Sequence, residues 1–321
     1  MPYVFLHGNP HIDNFAKTNQ GEAMIDFDRS RVGPYAWDLV RFACSLSLRR
    51  SEEHDIFLAK TVIDHLKGGY IAGFENPYQT LVLPEVLPEI IPKESEVSTN
   101  AYLAANLKWA QKMRENPIFT SHPSVQSLVA LYFKARREGE EAKRYEIEEA
   151  GTAVGSFGKP RILVVLSDTD HPEKDLIFLE IKEVYQDPDT EFFFNPFIHH
   201  GLRMIEASFL YAPDFEKGLG YLSWRNKQYW ARQIPPFKTK FRGNLTDKQQ
   251  EGLAYLVGVQ IGRAHRKSLR ECAPDKLLVH FTKTFPNLLD IGALMNEEIK
   301  DQWNCENPNV SSTTSSTSKV A

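Results

Sequence analysis

The spacing of apolar residues changes along this chain, and the changes predict segments of different structure. Residues 1–50 predict a strand, a loop, a second strand and then a helix with apolar positions at helical spacing. Two compact runs of β-forming residues follow later, at 162–166 (ILVVL) and 176–182 (LIFLEIK). A polar segment containing Asp and Pro joins them, as in a hairpin. The pattern therefore predicts an α+β protein.

Helical spacing recurs between these two regions. Residues 55–70 predict a helix that stops at Gly68 and Gly69 or soon after. Residues 76–92 carry four prolines and predict an extended connection. Two more helices are expected near 96–115 and 123–145, the second of which ends in a charged, solvated face.

The later part of the chain predicts a small β-rich unit and the helices around it. A helix is expected over residues 198–210, and two strands over 221–224 and 228–234. A Thr-x-x-Gln capping box opens a long helix over residues 246–268. The Ser/Thr-rich tail, residues 305–321, has little to bury and is expected to be disordered.

Composition narrows the class of partner. The 321 residues are 42% apolar and 25% charged, with a net charge of −4, so charge gives no reason to expect nucleic acid or an anionic membrane as partner. No apolar run approaches the length of a membrane span, and no signal peptide is evident. The three widely spaced cysteines, Cys44, Cys272 and Cys305, form no framework. These features favour a reducing compartment and predict a cytoplasmic protein.

Two runs near the start carry the strongest chemical signal. Residues 7–15 (HGNPHIDNF) and 24–28 (MIDFD) have the spacing of a kinase-type catalytic loop, H-x-D-x-x-x-x-N, followed by an Asp after a hydrophobic strand. Mg²⁺ prefers hard oxygen ligands, which Asn14 and Asp26 would supply with help from Asp28. Each of these residues alone is more typical of a turn, but their spacing favours metal binding.

A candidate phosphate site appears only after residue 150. Gly155, Ser156 and Gly158 lie in a Gly-rich stretch that lets a backbone approach phosphate closely, although a plain hairpin turn is the favoured explanation of that stretch taken alone. Lys182 ends the next apolar strand, where kinases carry the lysine that binds the α- and β-phosphates. Glu206 is expected to form an ion pair with Lys182. Two competitors for that role remain open, Glu183 and Glu191.

Three aromatic residues on the later strands allow two interpretations. The aromatic side chains of Trp224, Tyr229 and Trp230 would suit an adenine pocket, but aromatic residues on strands more often belong to a core.

The histidines near the start also leave an alternative open. His7 and His11, with Asp13 and Asp26, are possible ligands of a zinc ion in a metal-dependent hydrolase. Because no other His-rich segment lies close by in sequence, histidines that brace the loop are the favoured interpretation.

With these motifs the chain resembles the kinase-like superfamily, nearest to its aminoglycoside and choline phosphotransferase branch. It resembles more closely the bacterial family called domain of unknown function 2252. That family's patterns are G-D-x-H-x-x-N-F, N-D-F-D-E, P-x-E-W-D-L-x-R, V-G-S-x-G-x-R, Q-V-K-E and A-R-A-H. They correspond here to residues 8–15, 25–29, 34–41, 154–161, 180–183 and 262–265.

The resemblance implies a two-lobed protein-kinase-like fold whose segments come in circularly permuted order. Residues 1–149 are expected to form a mostly helical large-lobe segment with the catalytic loop, and 150–236 a small antiparallel β lobe. Residues 237–304 would then return to the large lobe. The physical condition for permutation is that the original ends lie close together and exposed.

The resemblance also implies a function: phosphoryl transfer from ATP, with Mg²⁺, to an unknown acceptor. One departure bears on activity, since Asn9 occupies the position of the catalytic Asp and cannot accept a proton. His7 and Asp13 are the other candidate catalytic residues of the loop, and Asp13 is a conceivable substitute base. A catalytically impaired nucleotide-binding pseudokinase or scaffold is therefore the main alternative, ahead of the metal-dependent hydrolase.

Overall fold

The computed structural model describes residues 1–49, 57–81, 83–87, 108–139, 141–155, 158–171, 176–235, 238–270 and 272–306. The chain is 46% helical and 22% strand, which confirms the predicted α+β class. The strands are β1 Tyr3–Leu6, β2 Phe15–Thr18, β3 Gly21–Met24, β4 Arg31–Pro34, β5 Tyr145–Val154, β6 Pro160–Asp168, β7 Ile177–Glu183, β8 Lys217–Trp224 and β9 Lys227–Gln233. The helices are α1 Ala36–Ser47, α2 Lys60–Glu75, α3 Lys108–Glu115, α4 Pro123–Ala135, α5 His200–Tyr211, α6 Asp247–Ser268 and α7 Pro274–Glu306.

A five-stranded antiparallel sheet forms one layer of the fold. Its strand order is β5-β6-β7-β9-β8, so β7 is central and has a neighbour on each side. The hairpin predicted from the two β-forming runs is confirmed by antiparallel pairing of β6 with β7. The tight turn between β8 and β9 contains Arg225 and Asn226 at positive φ, as a two-residue hairpin turn of type I′ requires.

The start of this sheet differs from the prediction. The helix expected over 123–145 ends at Ala135, and β5 already begins at Tyr145. Arg137 has a φ of 63°, a left-handed conformation in which a helix cannot continue. The charged stretch is therefore a connection between α4 and β5.

The helical core depends on close contact between α2 and α6. Both helices carry a G-x-x-x-G pattern, at Gly69 and Gly73 in α2 and at Gly258 and Gly262 in α6. A β-carbon at Gly69, Gly73 or Gly262 would lie 2.2 Å from a carbonyl oxygen of the opposite helix. The predicted stop at Gly69 was therefore wrong, because this glycine serves interhelical packing and α2 continues to Glu75.

Helix α6 begins as predicted. The Thr246 hydroxyl accepts a hydrogen bond from the Gln249 backbone N–H, and the Gln249 side chain accepts one from the Thr246 N–H. This confirms the capping box, and the helix ends at Ser268. None of the helices within the described ranges combines the length and the apolar character needed to cross a membrane.

Two short two-stranded sheets position the motif residues at the start of the chain. Strand β1 pairs with β4 and strand β2 pairs with β3, all antiparallel. The loop over residues 7–14 joins β1 to β2, and residues 25–30 join β3 to β4. Both motifs therefore lie in the two segments that connect the β1–β4 pair to the β2–β3 hairpin. Of the predicted disordered tail, residues 305–321, the first two belong to α7, and the rest lies outside the described residues.

Candidate functional site

A buried aspartate holds the loop over residues 7–14 in place. The Asp38 carboxylate accepts hydrogen bonds from the backbone N–H groups of His7 at 2.8 Å and Gly8 at 3.0 Å. It also accepts one from the Tyr211 hydroxyl at 2.8 Å, and His265 Nε2 lies 3.3 Å away. Burial opposes its charge, but the hydrogen bond from His265 and the charges around it keep the pKa of Asp38 below its usual value.

His7 braces this loop from inside. Its side chain is fully buried and packs against the rings of Phe27 and Tyr211, with centroids 5.1 and 5.4 Å away. Burial lowers the pKa of His7, so the imidazole is neutral at pH 7. These contacts are those of a residue that braces the loop, and they give the candidate catalytic role of His7 no support.

The backbone at Gly8 has a conformation that other residues rarely adopt. Its φ is +84°, and a β-carbon would lie 1.9 Å from the carbonyl oxygen of Arg29. The carbonyl of Gly8 accepts a hydrogen bond from Trp37 Nε1 at 2.9 Å. The loop backbone is therefore fixed at Gly8, directly before Asn9.

Asn9 occupies the position where the motif calls for Asp. Its side-chain Oδ1 accepts a hydrogen bond from Arg41 Nε at 3.1 Å, and its carbonyl accepts one from Asn14 Nδ2 at 3.3 Å. Asn9 is half-buried. The structure thus places a neutral amide beside a guanidinium at the point where a kinase-like loop carries its base.

The partners of Asp13 are the basic residues Arg49 and Lys240. Its carboxylate is 65% exposed and pairs with Arg49 at 2.7 Å, while Lys240 Nζ donates to its carbonyl oxygen. His11 Nδ1 lies 3.9 Å from Asp13 Oδ2, and burial together with Arg41 lowers the pKa of His11 to about 4. The position of Asp13 in the motif offers no specific support for a substitute base, and its pairing with Arg49 offers none either.

Lys182 meets the second motif. Its ammonium group donates a hydrogen bond to Asp28 Oδ2, although the two residues are 154 positions apart in sequence. Both side chains are buried, at 5% and 4% exposure. The central position of β7 in the sheet brings Lys182 to this point.

Asp26 lies next to this ion pair. Its φ is +74°, and the preceding Ile25 N–H donates to the Asn14 carbonyl at 2.7 Å, which brings Asn14 to the same place. The Asp26 side chain is exposed, yet it suffers a desolvation penalty, as a group at the base of a cleft does. Lys182 and other cations outweigh that penalty and lower the pKa of Asp26, whereas burial and Asp26 raise the pKa of Asp28.

Behind Lys182 lies a buried cluster of charges that the sequence reasoning missed. Glu180 is fully buried and accepts hydrogen bonds from Arg161 and Arg232. Burial opposes its charge, but Arg232, Arg161 and Lys182 keep the pKa of Glu180 low. The available signal was strand alternation, which puts Glu180, two residues before Lys182, on the same face of β7.

The segment after β9 brings further cations to this cleft. Lys238 is exposed, but the surrounding protein partly desolvates it. This desolvation, together with the positive charges of Arg232 and Lys240, lowers the pKa of Lys238 to about 7. Thr239 pairs with Lys17 of β2 through two backbone hydrogen bonds of 2.9 Å. No motif in the sequence marks this segment as part of a site.

The expected partner of Lys182 is elsewhere. Within the described part of the chain, Lys182 pairs with Asp28 and not with Glu206, which lines a separate cavity beside β1. The residue of α5 that approaches the site is Arg203, whose Nη2 donates to the Asp28 carbonyl at 2.9 Å. Asp28 therefore has the orienting role predicted for Glu206. The named competitor Glu183 pairs with Lys159 and Lys227 instead.

The Gly-rich stretch forms the end of the β5–β6 hairpin. The Gly155 N–H donates to the Lys159 carbonyl at 2.8 Å, and the Gly158 N–H donates to Gly155 at 3.0 Å. Gly158 has a φ of +67°, which favours glycine. Ser156 lies outside the described residues. The described part of this stretch is a tight turn between strands.

The aromatic side chains proposed for an adenine pocket belong to the core. Tyr229 and Trp230 are 5% and 4% exposed, and Trp230 packs with Val184 and Met204. Trp224 packs partly buried against the cluster that contains Tyr229. The core interpretation is therefore the correct one for these residues.

The zinc-site alternative has no geometric basis in the described ranges. There, no group of three or more His, Cys, Asp or Glu side chains is placed to hold a metal ion. His7 is buried, and Asp13 is paired with Arg49. These positions give the metal-dependent hydrolase no support.

Two family models match different parts of the chain. Residues 1–73 match the model of the phosphotransferase enzyme family. This range contains the two motifs at residues 7–15 and 24–28. No curated protein and no solved structure matches the chain. Residues 111–298, more than half of the chain, match the model described as uncharacterized protein conserved in bacteria (DUF2252). The chain therefore belongs to the DUF2252 family.

Proposed function

We propose that this protein is a kinase-like phosphotransferase that uses ATP and Mg²⁺ and transfers a phosphoryl group to an acceptor not yet identified. The observation that carries the proposal is the meeting of Lys182 with Asp26 and Asp28 beside the loop that contains Asn9 and Asn14. The phosphotransferase match over residues 1–73 supports the same reaction class.

The residues at this point suit a magnesium nucleotide. Asp26 offers an exposed carboxylate, and Asp28 Oδ1 is buried without a hydrogen-bond donor among the described residues. Carboxylate oxygens of this kind, with the Asn14 amide, are the hard donors that Mg²⁺ prefers. We assign Lys182 to the α- and β-phosphates, and the turn that contains Gly155 and Gly158 to contact with the same phosphates. ATP supplies the phosphoryl group when bound.

The remaining residues would keep these groups in position. Asp28 fixes the Lys182 ammonium by one hydrogen bond, which leaves two of its three N–H donors for phosphate. Asp38 fixes the loop backbone at His7 and Gly8. Phosphoryl transfer depends mainly on positioning and electrostatics, so the loss of a base at Asn9 lowers the rate without removing the site.

We also propose that the fold is a circularly permuted kinase-like fold, with residues 1–149 and 237–304 in one lobe and 150–236 in the other. Support comes from the end of α6, where Ser268 Oγ accepts a hydrogen bond from the Phe5 N–H of β1 at 3.0 Å. In an unpermuted kinase order, the helix that ends here would lead directly into this strand. The contact between His265 and Asp38 joins α6 to α1, which belongs to the same initial segment of the chain as β1.

The second candidate is a nucleotide-binding pseudokinase, and one observation favours it. Asn9 cannot take a proton from an acceptor, and Arg41 binds its side-chain oxygen. Under this alternative the nucleotide would still bind at Lys182 and Asp26, but no transfer would follow.

Thermal unfolding with and without ATP and Mg²⁺ tests the proposal. We expect the wild type to be stabilised by the nucleotide, and Lys182→Met to lose that stabilisation. Lys227→Met is the matched control, because Lys227 lies exposed on the neighbouring strand and pairs with Glu183. Equal stabilisation of wild type and Lys182→Met, or none in the wild type, would contradict the proposal.

Turnover then separates the two candidates. ADP release by the wild type supports the phosphotransferase. Nucleotide binding without turnover in the wild type, with turnover gained in Asn9→Asp, supports the pseudokinase.

A further inference from the structure

Arg41 carries a charge that no carboxylate balances in the described part of the chain. It lies on α1, half-buried, with its Nε bonded to Asn9 Oδ1 at 3.1 Å. Within the described ranges no Asp or Glu oxygen comes within 4.0 Å of its guanidinium. A guanidinium keeps its proton at any physiological pH, so the charge persists.

The surroundings of Arg41 do not offset this charge. Burial lowers the pKa of Arg41, and the nearby Arg29, a second cation, lowers it further. Of the acidic side chains near the loop, Asp13 pairs with Arg49, and Asp38 binds backbone N–H groups and His265. Asp26, the third, faces Lys182. Each carboxylate therefore has its own partner.

The hydrogen bond between Arg41 and Asn9 determines what the pair can offer to a ligand. Arg41 donates to Asn9 Oδ1, which leaves the Asn9 Nδ2 group as a donor. The terminal nitrogens of the guanidinium are donors as well. A partly buried site with donors only, and with a net positive charge, recognises an oxyanion.

An aspartate at position 9 would give the opposite result. Its carboxylate would neutralise Arg41 by a charge-assisted hydrogen bond and would repel an incoming anion. The change from Asp to Asn therefore alters the ligand preference of this position, in addition to removing a base.

We propose that Asn9 and Arg41 form an anion subsite that binds a phosphate or carboxylate group of the acceptor. This rests on the proposed function, because that function makes position 9 the acceptor side of the site. The acceptor, or the ligand of a pseudokinase, is accordingly an anionic molecule.

Titration with inorganic phosphate, at constant ionic strength adjusted with chloride, tests the subsite by calorimetry. We expect saturable binding to the wild type and a loss of about tenfold or more in Arg41→Gln and in Asn9→Asp, as for a hydrogen bond to a charged group. Arg114→Gln is the matched control, because Arg114 already pairs with Glu149 at 2.9 Å on β5. It removes the same charge and should bind phosphate as the wild type does.

Three outcomes overturn the subsite. They are no saturable phosphate binding to the wild type, unchanged binding in Asn9→Asp, and an equal loss in Arg114→Gln. Because Asn9→Asp is nearly isosteric, this variant keeps the test valid even if Arg41→Gln does not fold.

A second titration, in the presence of a non-hydrolysable ATP analogue and Mg²⁺, identifies the source of the anion. Phosphate that still binds supports an acceptor subsite, whereas phosphate displaced by the analogue shows that Arg41 binds the nucleotide and overturns the assignment. If phosphate binds but the analogue does not, the subsite is retained and the proposed ATP-dependent function fails.

Discussion

Replacing Asp38 with Asn tests how the loop over residues 7–14 is held. The Asp38 carboxylate is fully buried and receives the His7 and Gly8 N–H groups, the Tyr211 hydroxyl and His265 Nε2. The amide of Asn has nearly the same shape but only one acceptor oxygen. Its NH₂ group would face donors where the second carboxylate oxygen stood.

The magnitude follows from the bonds that are lost. One carboxylate oxygen, Oδ2, serves His7, Tyr211 and His265, and Oδ1 serves Gly8. Whichever way the amide is placed, at least one charge-assisted hydrogen bond becomes a contact between two donors. The bond that is lost costs about 1.5–3 kcal/mol, and the remaining bonds weaken because their acceptor is no longer charged. Together we expect a loss of about 3–5 kcal/mol in the free energy of unfolding.

Urea denaturation followed by circular dichroism measures this loss. Asp64→Asn is the matched control, because Asp64 is exposed on α2, and its effect should stay within about 0.5 kcal/mol. A loss below about 1 kcal/mol for Asp38→Asn would refute the argument that this carboxylate holds the loop. Acidification provides a second check, since a lowered pKa means that the stabilisation by Asp38 is lost as the pH falls through that pKa.

The remaining predictions concern other parts of the site. Between pH 6.5 and about 4 the unfolded chain protonates His11 while the folded chain does not, so stability should fall across this window. His11→Gln should reduce that slope in urea titrations, and an unchanged slope would contradict the buried neutral imidazole. Gly8→Ala should cost about 2–4 kcal/mol by the same assay because of its positive φ and the clash with Arg29, and a wild-type value would contradict the loop geometry. Glu180→Gln should cost about 3 kcal/mol, since it leaves two buried guanidinium groups without their carboxylate, and an unchanged thermal midpoint would argue against this.

Local signals in the sequence predicted the elements that depend on local physics. Strands β6 and β7 were predicted from compact runs of β-branched and aromatic residues, and the start of α6 from its capping box. The end of α2 was not predicted, since Gly69 looks like a helix stop in sequence. Its function in the fold depends on Tyr255 of another helix, whose backbone lies where a β-carbon would be.

In the candidate site, too, local signals predict some features, and tertiary contacts determine the rest. Motif spacing predicts Asn14 and Asp26 as site residues, and the end of an apolar strand predicts Lys182. The structure brings these three residues to one region. Their partners depend on tertiary contacts that no spacing specifies, and for that reason Asp28, not Glu206, was found beside Lys182. The pairing of Asn9 with Arg41 likewise joins a loop to a helix 32 residues away.

The binding of ATP with Mg²⁺ to Lys182→Met, Asp26→Asn and the double variant tests the central claim most directly. The claim is that residues far apart in the chain form one nucleotide site. Calorimetry should show a loss of about tenfold or more in each single variant, with little further loss in the double variant because both residues serve one ligand. Unchanged affinity in either single variant, or losses that simply add as for independent positions, would contradict it.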